Sequence, residues 1–356
     1  MSLHILFPNY KNYSGHENSF VHVYDRLARN INRQIFFYVA EDNSINFKNK
    51  IKYFKNVNDK NIIQKINYIF VNSVRLFSIL NKDENNKRTF LIDGQSTTFI
   101  ISIILSCLFL NSKKKKFIIF YREAFFLKIF QKLLYSVFFF FIKIKFEDLI
   151  ILTDTIQLKK KIIQKHNVQV YLLPIPHTFK NLVNKVKYNK KIRILLPGQY
   201  RKEKGEKKII NFINNNLNEN FIIKLGKNFS VKESKKITWI PNNLSLKQYK
   251  KVLKSVDMIF LPYDNLKYFY SSSGIFIEAI SLNKICFVSS NTWMSKILKA
   301  NKLHSLVISK WEKLKISKIR FIINDKKILS NFNKLKKKIV KKNNPEIFID
   351  KMKKII

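Results

Sequence analysis

Two short stretches of this 356-residue chain hold residue types that handle anions. The first is Ser271-Ser272-Ser273-Gly274, followed one helical turn later by Glu278-Ala279. The apolar run Met258–Leu261 stops at Pro262, which cannot donate to a central sheet ladder, so it reads as a short buried strand. A Tyr- and Ser-rich loop comes next, then helical residues from Ile275 to Ile280, then a second apolar strand from Ile285 to Val288. Strand, small-residue loop, helix, strand is the unit that aims backbone N–H groups from a helix N-terminus at an anion. The second stretch follows the strand Ile192–Leu196 and runs Pro197-Gly198-Gln199-Tyr200-Arg201-Lys202-Glu203-Lys204-Gly205, a basic loop closed by glycine. A third candidate pair, Arg122-Glu123, stands at the C-terminal end of an apolar strand, where α/β proteins place ligand groups.

The elements that must hold these residues repeat one pattern. Ser2–Phe7 reads as a strand closed by Pro8, then a polar loop to Gly15, a helix from about His16 to Asn30 and a strand Gln34–Ala40. This is the first half of a nucleotide-type α/β domain. Phe90–Ile92 is a further strand with Asp93-Gly94 as its turn, and Thr97–Leu110 is an apolar helix shorter than the roughly 20 residues needed to span a bilayer. Lys113–Lys116 precedes a strand Phe117–Tyr121. Phe125–Phe146 mixes Phe and Leu with Lys128, Lys132, Lys143 and Lys145, and fits either a helix lying on a membrane surface or a buried core helix. Leu149–Leu152 and Val168–Leu173 complete the first set of strands, and Thr178–Lys191 is a polar, lysine-rich linker. Beyond it, Asn220–Leu225 and Ile237–Ile240 are strands, Ser245 caps a helix from Leu246 to Ser255, and the chain from about Ile316 is helical.

Composition bounds the partners. Lys+Arg 68 against Asp+Glu 23 gives a net charge of +45, carried almost wholly by lysine. Such a charge favours anionic membrane surfaces, nucleic acid or phosphorylated ligands. Lysine-dominated charge without arginine clusters matches base readout poorly, because that readout leans on bidentate Arg. The two cysteines, Cys107 and Cys286, lie far apart in apolar surroundings and read as buried thiols of a reducing compartment. The N-terminus lacks the basic region, apolar core and cleavage site of a signal peptide.

Residues 190 to 295 resemble the donor-binding half of GT-B fold glycosyltransferases, especially the glycosyltransferase group 1 family of bacterial polysaccharide and lipopolysaccharide enzymes. The match rests on Gly198, Lys204 and Gly205 after the first strand of this half, on the Pro-ended strand, and on Gly274, Glu278 and Ala279. The family's usual arginine position holds Gln199, with Arg201 close by, and its first Glu, eight positions before the second, is Tyr270 here. The resemblance implies that Arg201 and Lys204 hold a donor diphosphate, that Ser273 and Gly274 offer it N–H groups, and that Glu278 binds the ribose. Trp239 and Ile240 would lie near the base. It also implies that the loop after the first strand faces the acceptor and that a catalytic or sugar-contacting residue stands near the end of Phe117–Tyr121, so that His16 or Glu123 would be the catalytic base of an inverting enzyme. Each has a plainer reading: Glu278 as a buried helix-capping residue, Arg122-Glu123 as a surface ion pair, and the Lys204 loop as a solvated basic turn.

The resulting expectation is an α/β protein of two Rossmann-like domains facing across a cleft. Residues 1–177 form the acceptor domain, 178–191 the linker, 192–335 the donor domain, and 336–356 a helical segment crossing back to the first domain. The implied activity is metal-independent transfer of a sugar from a nucleotide diphosphate donor to a glycan or lipid-linked acceptor in surface polysaccharide synthesis. No cofactor is expected beyond the nucleotide-sugar co-substrate, and no Asp-x-Asp metal clamp is present. The expected location is cytoplasmic and peripheral, on the anionic inner face of the membrane. A nucleotide-sugar epimerase on the same fold and a non-catalytic basic protein bound to nucleic acid are the alternatives.

Overall fold

The computed structural model describes residues 2–8, 17–31, 34–41, 50–55, 61–81, 88–93, 96–110, 114–122, 128–176, 191–197, 202–226, 234–241 and 244–356. The chain divides into two compact units, the first built on Phe20–Pro174 with the N-terminal strand and Phe348–Ile356, the second on Ile175–Ile347.

The first unit alternates strand and helix: β1 (Ser2–Phe7), α1 (Glu17–Asn30), β2 (Gln34–Ala40), β3 (Lys50–Phe54), α2 (Ile62–Asn81), β4 (Arg88–Asp93), α3 (Thr97–Leu108), β5 (Lys114–Tyr121), α4 (Ile129–Lys145), β6 (Phe146–Thr153), α5 (Ile156–His166) and β7 (Gln169–Leu172). All pairings are parallel, in the order β3-β2-β1-β4-β5-β6-β7. The strands read as near-continuous apolar runs because both faces are covered. Right-handed crossovers put α2, α3, α4 and α5 on one face. There Leu76, Phe99, Ile103, Phe138, Ile142 and Leu158 pack with Phe90, Phe117 and Ile151 of the sheet. Helices α2 and α3 approach closely through serines. Ser102 Oγ donates to Ile69 O at 3.0 Å and Ser106 Oγ to Ser73 O at 2.8 Å.

The second unit holds β8 (Ile192–Leu195), α6 (Glu206–Asn214), β9 (Phe221–Gly226), β10 (Ile237–Ile240), α7 (Leu246–Lys254), β11 (Met258–Leu261), α8 (Asn265–Tyr270), α9 (Gly274–Ser281), β12 (Ile285–Ser289), α10 (Trp293–Ala300), β13 (Val307–Ile308), α11 (Ile316–Asn324) and α12 (Lys326–Lys342). Its sheet is also parallel, in the order β10-β9-β8-β11-β12-β13. The sequence leaves β8 in one direction and returns from β11 in the other, so the order reverses between these two neighbours. Asp257 fixes that junction at its N-terminal edge. Its carboxylate, almost fully buried, accepts Arg193 N at 2.8 Å, Nε at 3.1 Å and Nη2 at 2.6 Å. Asp257→Asn removes the charge and one fork of the pair, so the folded state should lose about 2 kcal/mol. A urea midpoint equal to wild type, at unchanged slope, would show that the pair adds nothing.

The last helix, α13 (Pro345–Ile355), returns to the first unit from Phe348 onward. Phe348 packs edge-on against Phe20 and Tyr24 of α1, with ring centroids 5.6 and 5.7 Å apart. Lys116 Nζ donates to Ile355 O at 2.8 Å and so caps the C-terminus of this helix, where a cation is favoured.

The sequence expectations need several corrections. Lys114–Lys116 do not precede the strand but open β5, and Lys116 Nζ bonds α13. Asp93 is not a turn residue but the fully buried last position of β4. The Tyr-rich segment after Pro262 is helical as α8, because Asp264 caps it by accepting Leu266 N and Lys267 N. Between Ala40 and Phe90, where no element was expected, lie β3 and the 20-residue α2. No helix among the described residues is long and apolar enough to cross a membrane.

Candidate functional site

In an open parallel sheet, ligands bind beyond the carboxyl ends of the strands where the order reverses. In the second unit that point lies between β8 and β11. The loops leaving these two strands carry Lys204-Gly205 and Ser271–Gly274, the stretches singled out by residue type.

The β8 loop ends in a 3-10 turn, Lys202–Lys204, and Gly205 then opens α6 with φ +79°. Lys204 is buried. Gly205 lies against the end of β11 so closely that a Cβ there would sit 2.1 Å from Pro262 O. The contact is reinforced on both sides. Asp264 N donates to Glu203 O at 2.8 Å, and Lys267 pairs with Glu203 at 3.2 Å. Lys208 Nζ reaches Pro262 O at 3.1 Å and Ser289 Oγ at 3.2 Å, tying the ends of β11 and β12 to α6. Burial lowers the Lys208 pKa, opposed by the charge of Asp264.

On the β11 side, Ser273 caps α9 by accepting Phe276 N at 3.3 Å, and Gly274 is the first, buried residue of that helix. Two residues before the cap, the Ser271 hydroxyl is buried without a hydrogen-bond partner. Four residues into α9, Glu278 is 7% exposed and accepts the Tyr249 hydroxyl of α7 at 2.7 Å on Oε2. Burial raises its pKa to about 7, against the lowering effect of that hydrogen bond and of Lys250. Desolvation and the Glu278 charge together push the Tyr249 phenol well above its ordinary range. Glu278 therefore does not cap a helix; it is a carboxyl held in a dry position one turn into the helix that Ser273 caps. Tyr270, at the position of the family's first Glu, ends α8 with its ring against Phe269. Trp239, on the edge strand β10, lines an open depression with Ser234, Lys235 and Ile237.

In the first unit, Asp93 and Arg122 stand at the carboxyl ends of β4 and β5. Arg122 pairs with Asp93, whose other oxygen accepts Tyr24 OH at 3.1 Å. The guanidinium also lies over the Phe20 and Phe120 rings, at 4.5 and 5.0 Å. The expected surface ion pair is thus a mostly buried one, made with Asp93. His16, Glu123, Gly198 and Arg201 lie outside the described residues.

Residue type alone gave no route to Tyr249 or Lys208. Tyr249 meets Glu278 across 29 residues of sequence, and Lys208 is one lysine among many.

No family model and no curated protein matches the sequence. Solved structures match over its whole length. A glycosyltransferase from Rickettsia africae is 11% identical with a TM-score of 0.65, covering 99% of this chain and 97% of that one. WaaG, a glycosyltransferase involved in lipopolysaccharide biosynthesis, is 11% identical with a TM-score of 0.64, covering 98% and 99%. The DNA-modifying enzyme beta-glucosyltransferase, whose substrate is uridine diphosphoglucose, is 12% identical with a TM-score of 0.57, covering 99% of both chains. The architecture is the GT-B fold of glycosyltransferases, with two parallel-sheet α/β units and a final helix that belongs to the first.

Proposed function

We propose that the protein is a metal-independent glycosyltransferase. It moves a sugar from a nucleoside-diphosphate donor to a glycan or lipid-linked acceptor in surface polysaccharide synthesis, at the cytoplasmic face of a membrane. The observation that carries this reading is the pairing, at the reversal point of the second sheet, of the Lys204-Gly205 loop with Ser273-Gly274 and the buried Glu278. A lysine, a helix N-terminus and an unpartnered serine suit a diphosphate, and a carboxyl one turn deeper suits a pair of sugar hydroxyls. Lys204, with Arg201, would stabilise the charge that builds on the departing nucleotide, the work a metal does elsewhere. The first unit, residues 1–177 with the returning helix, would take the acceptor, and the second, 192–335, the donor. His16 or Glu123 would accept the acceptor's proton if the anomeric centre inverts.

A nucleotide panel tests the donor site. UDP, GDP or CMP, alone or as their sugars, should raise the melting temperature by several degrees when present at about a hundred times Kd. If none does so at millimolar concentration, the donor assignment fails. A sugar released or isomerised equally well with and without acceptor would instead favour the epimerase.

A further inference from the structure

The helical layer formed by α2, α3 and α4 on the first sheet has two apolar sides. The inner side makes the core, as in any such layer. The outer side is where this protein departs from the ordinary amphipathic pattern. In α4 the side chains of Ile129, Phe130, Leu133 and Phe140 are 88, 64, 66 and 60% exposed. At about 100° per residue they form one stripe opposite the buried Tyr135, Phe138 and Ile142. Ile63, Ile66 and Phe70 of α2 are exposed to 75, 61 and 68%, and Phe109, just past α3, to 67%. Helix α3 packs against both α2 and α4, so these exposed side chains belong to one helical layer. Among the described residues of the second unit, the exposed large apolar side chains are only Leu217, Leu266 and Phe321. The apolar face is a property of the first unit.

Its charge identifies the partner. Helices α2, α3, α4 and α5 contain no Asp or Glu. Exposed Lys128 and Lys132 border the start of the α4 stripe and Lys143 its end. An apolar stripe edged by lysines and free of carboxylates complements an anionic lipid surface, where the rings enter the headgroup boundary and the ammonium groups remain at phosphate level. A second copy of this chain would set the same lysines against one another, with no Asp or Glu in these helices to pair with them.

We propose that the α2–α3–α4 face is a docking surface for anionic lipid bilayers, with Phe130, Leu133 and Phe140 as inserted anchors. This deepens the membrane partner of the function proposed above and gives it a specific surface.

The test uses the full chain and vesicles of phosphatidylcholine, alone or mixed with phosphatidylglycerol. Wild type should co-sediment with the mixed vesicles and scarcely with the neutral ones. The triple variant Phe130→Gln, Leu133→Gln, Phe140→Gln should melt as wild type does and bind at least about tenfold more weakly. Lys132→Gln with Lys143→Gln should weaken binding chiefly at low salt. Undiminished binding by the triple variant would overturn the proposal. So would a wild-type dimer that the triple variant converts to monomer. Nucleotide binding, measured on the same proteins, separates the two claims. Vesicle binding without any nucleotide binding would sink the transferase reading and leave the docking face standing. Nucleotide binding without vesicle binding would do the reverse.

Discussion

Gly205→Ala should destabilise the protein by roughly 3 kcal/mol or more and abolish donor binding, although it adds a single methyl group. Two independent costs act there. A non-glycine residue held at φ +79° gives up about 1–2 kcal/mol to left-handed backbone sterics. The new Cβ would also meet Pro262 O at 2.1 Å and Pro262 C at 2.9 Å. Both are backbone atoms at the end of a central strand, already engaged by Lys208, so no flexible side chain can yield. Relief requires the Lys202–Lys204 turn to lift away from β11, which moves Lys204, the residue proposed to hold the diphosphate. Gly205→Asn separates the two causes. Asparagine tolerates the left-handed region but carries the same Cβ, so it should be nearly as damaging if the contact with Pro262 dominates. Near-wild-type urea stability for either variant would show that the loop does not press against Pro262.

The same loop shows what the sequence could and could not disclose. Its Lys-Gly pair, the Pro-ended strand and the Ser-Gly…Glu-Ala segment are local patterns, each generated by backbone demands that a few adjacent residues meet. Strands buried on both faces are equally legible, as short apolar runs, and Ile237–Ile240 and Met258–Leu261 have the bounds their hydropathy suggests. Pairings made by topology were hidden. Asp93 looked like half of a turn because Asp-Gly is a turn signal. What makes it a buried carboxylate is Arg122, 29 residues away just past the end of the next strand. Helix α8 was hidden for the opposite reason. Its Tyr- and Asn-bearing residues have modest helix propensity, and the Asp264 cap with packing of Tyr268 on Tyr263 overrides it. The membrane reading of the α4 segment rested on mixed Phe and Lys. Only the fold separates its core stripe from its exposed one, and brings α2 beside it through α3.

Replacing Glu278 should change nucleotide affinity and pH behaviour together. The folded-state pKa is raised to about 7, above an unfolded value near 4.5, so the folded protein holds the proton more tightly in that window. The stabilisation linked to the protonated carboxyl is fully present below pH about 4.5 and is lost as pH rises through about 7, on the order of 3 kcal/mol in all. Glu278→Gln should remove this dependence, so the variant gains stability relative to wild type between pH 5 and pH 8. Titrations of other groups cancel in that difference. Donor binding should run the other way. Ribose hydroxyls donate more strongly to an ionised carboxylate than to a protonated acid, so wild-type affinity should increase as pH rises through about 7. Glu278→Gln should bind about tenfold or more weakly at pH 8, with no such rise, as expected for loss of hydrogen bonds to a charged acceptor. Calorimetric titration of the stabilising nucleotide at the two pH values provides the comparison. A flattened stability profile with unchanged affinity would make Glu278 a buried carboxyl satisfied by Tyr249 alone, and the ribose site would have to be sought elsewhere on the β8–β11 edge.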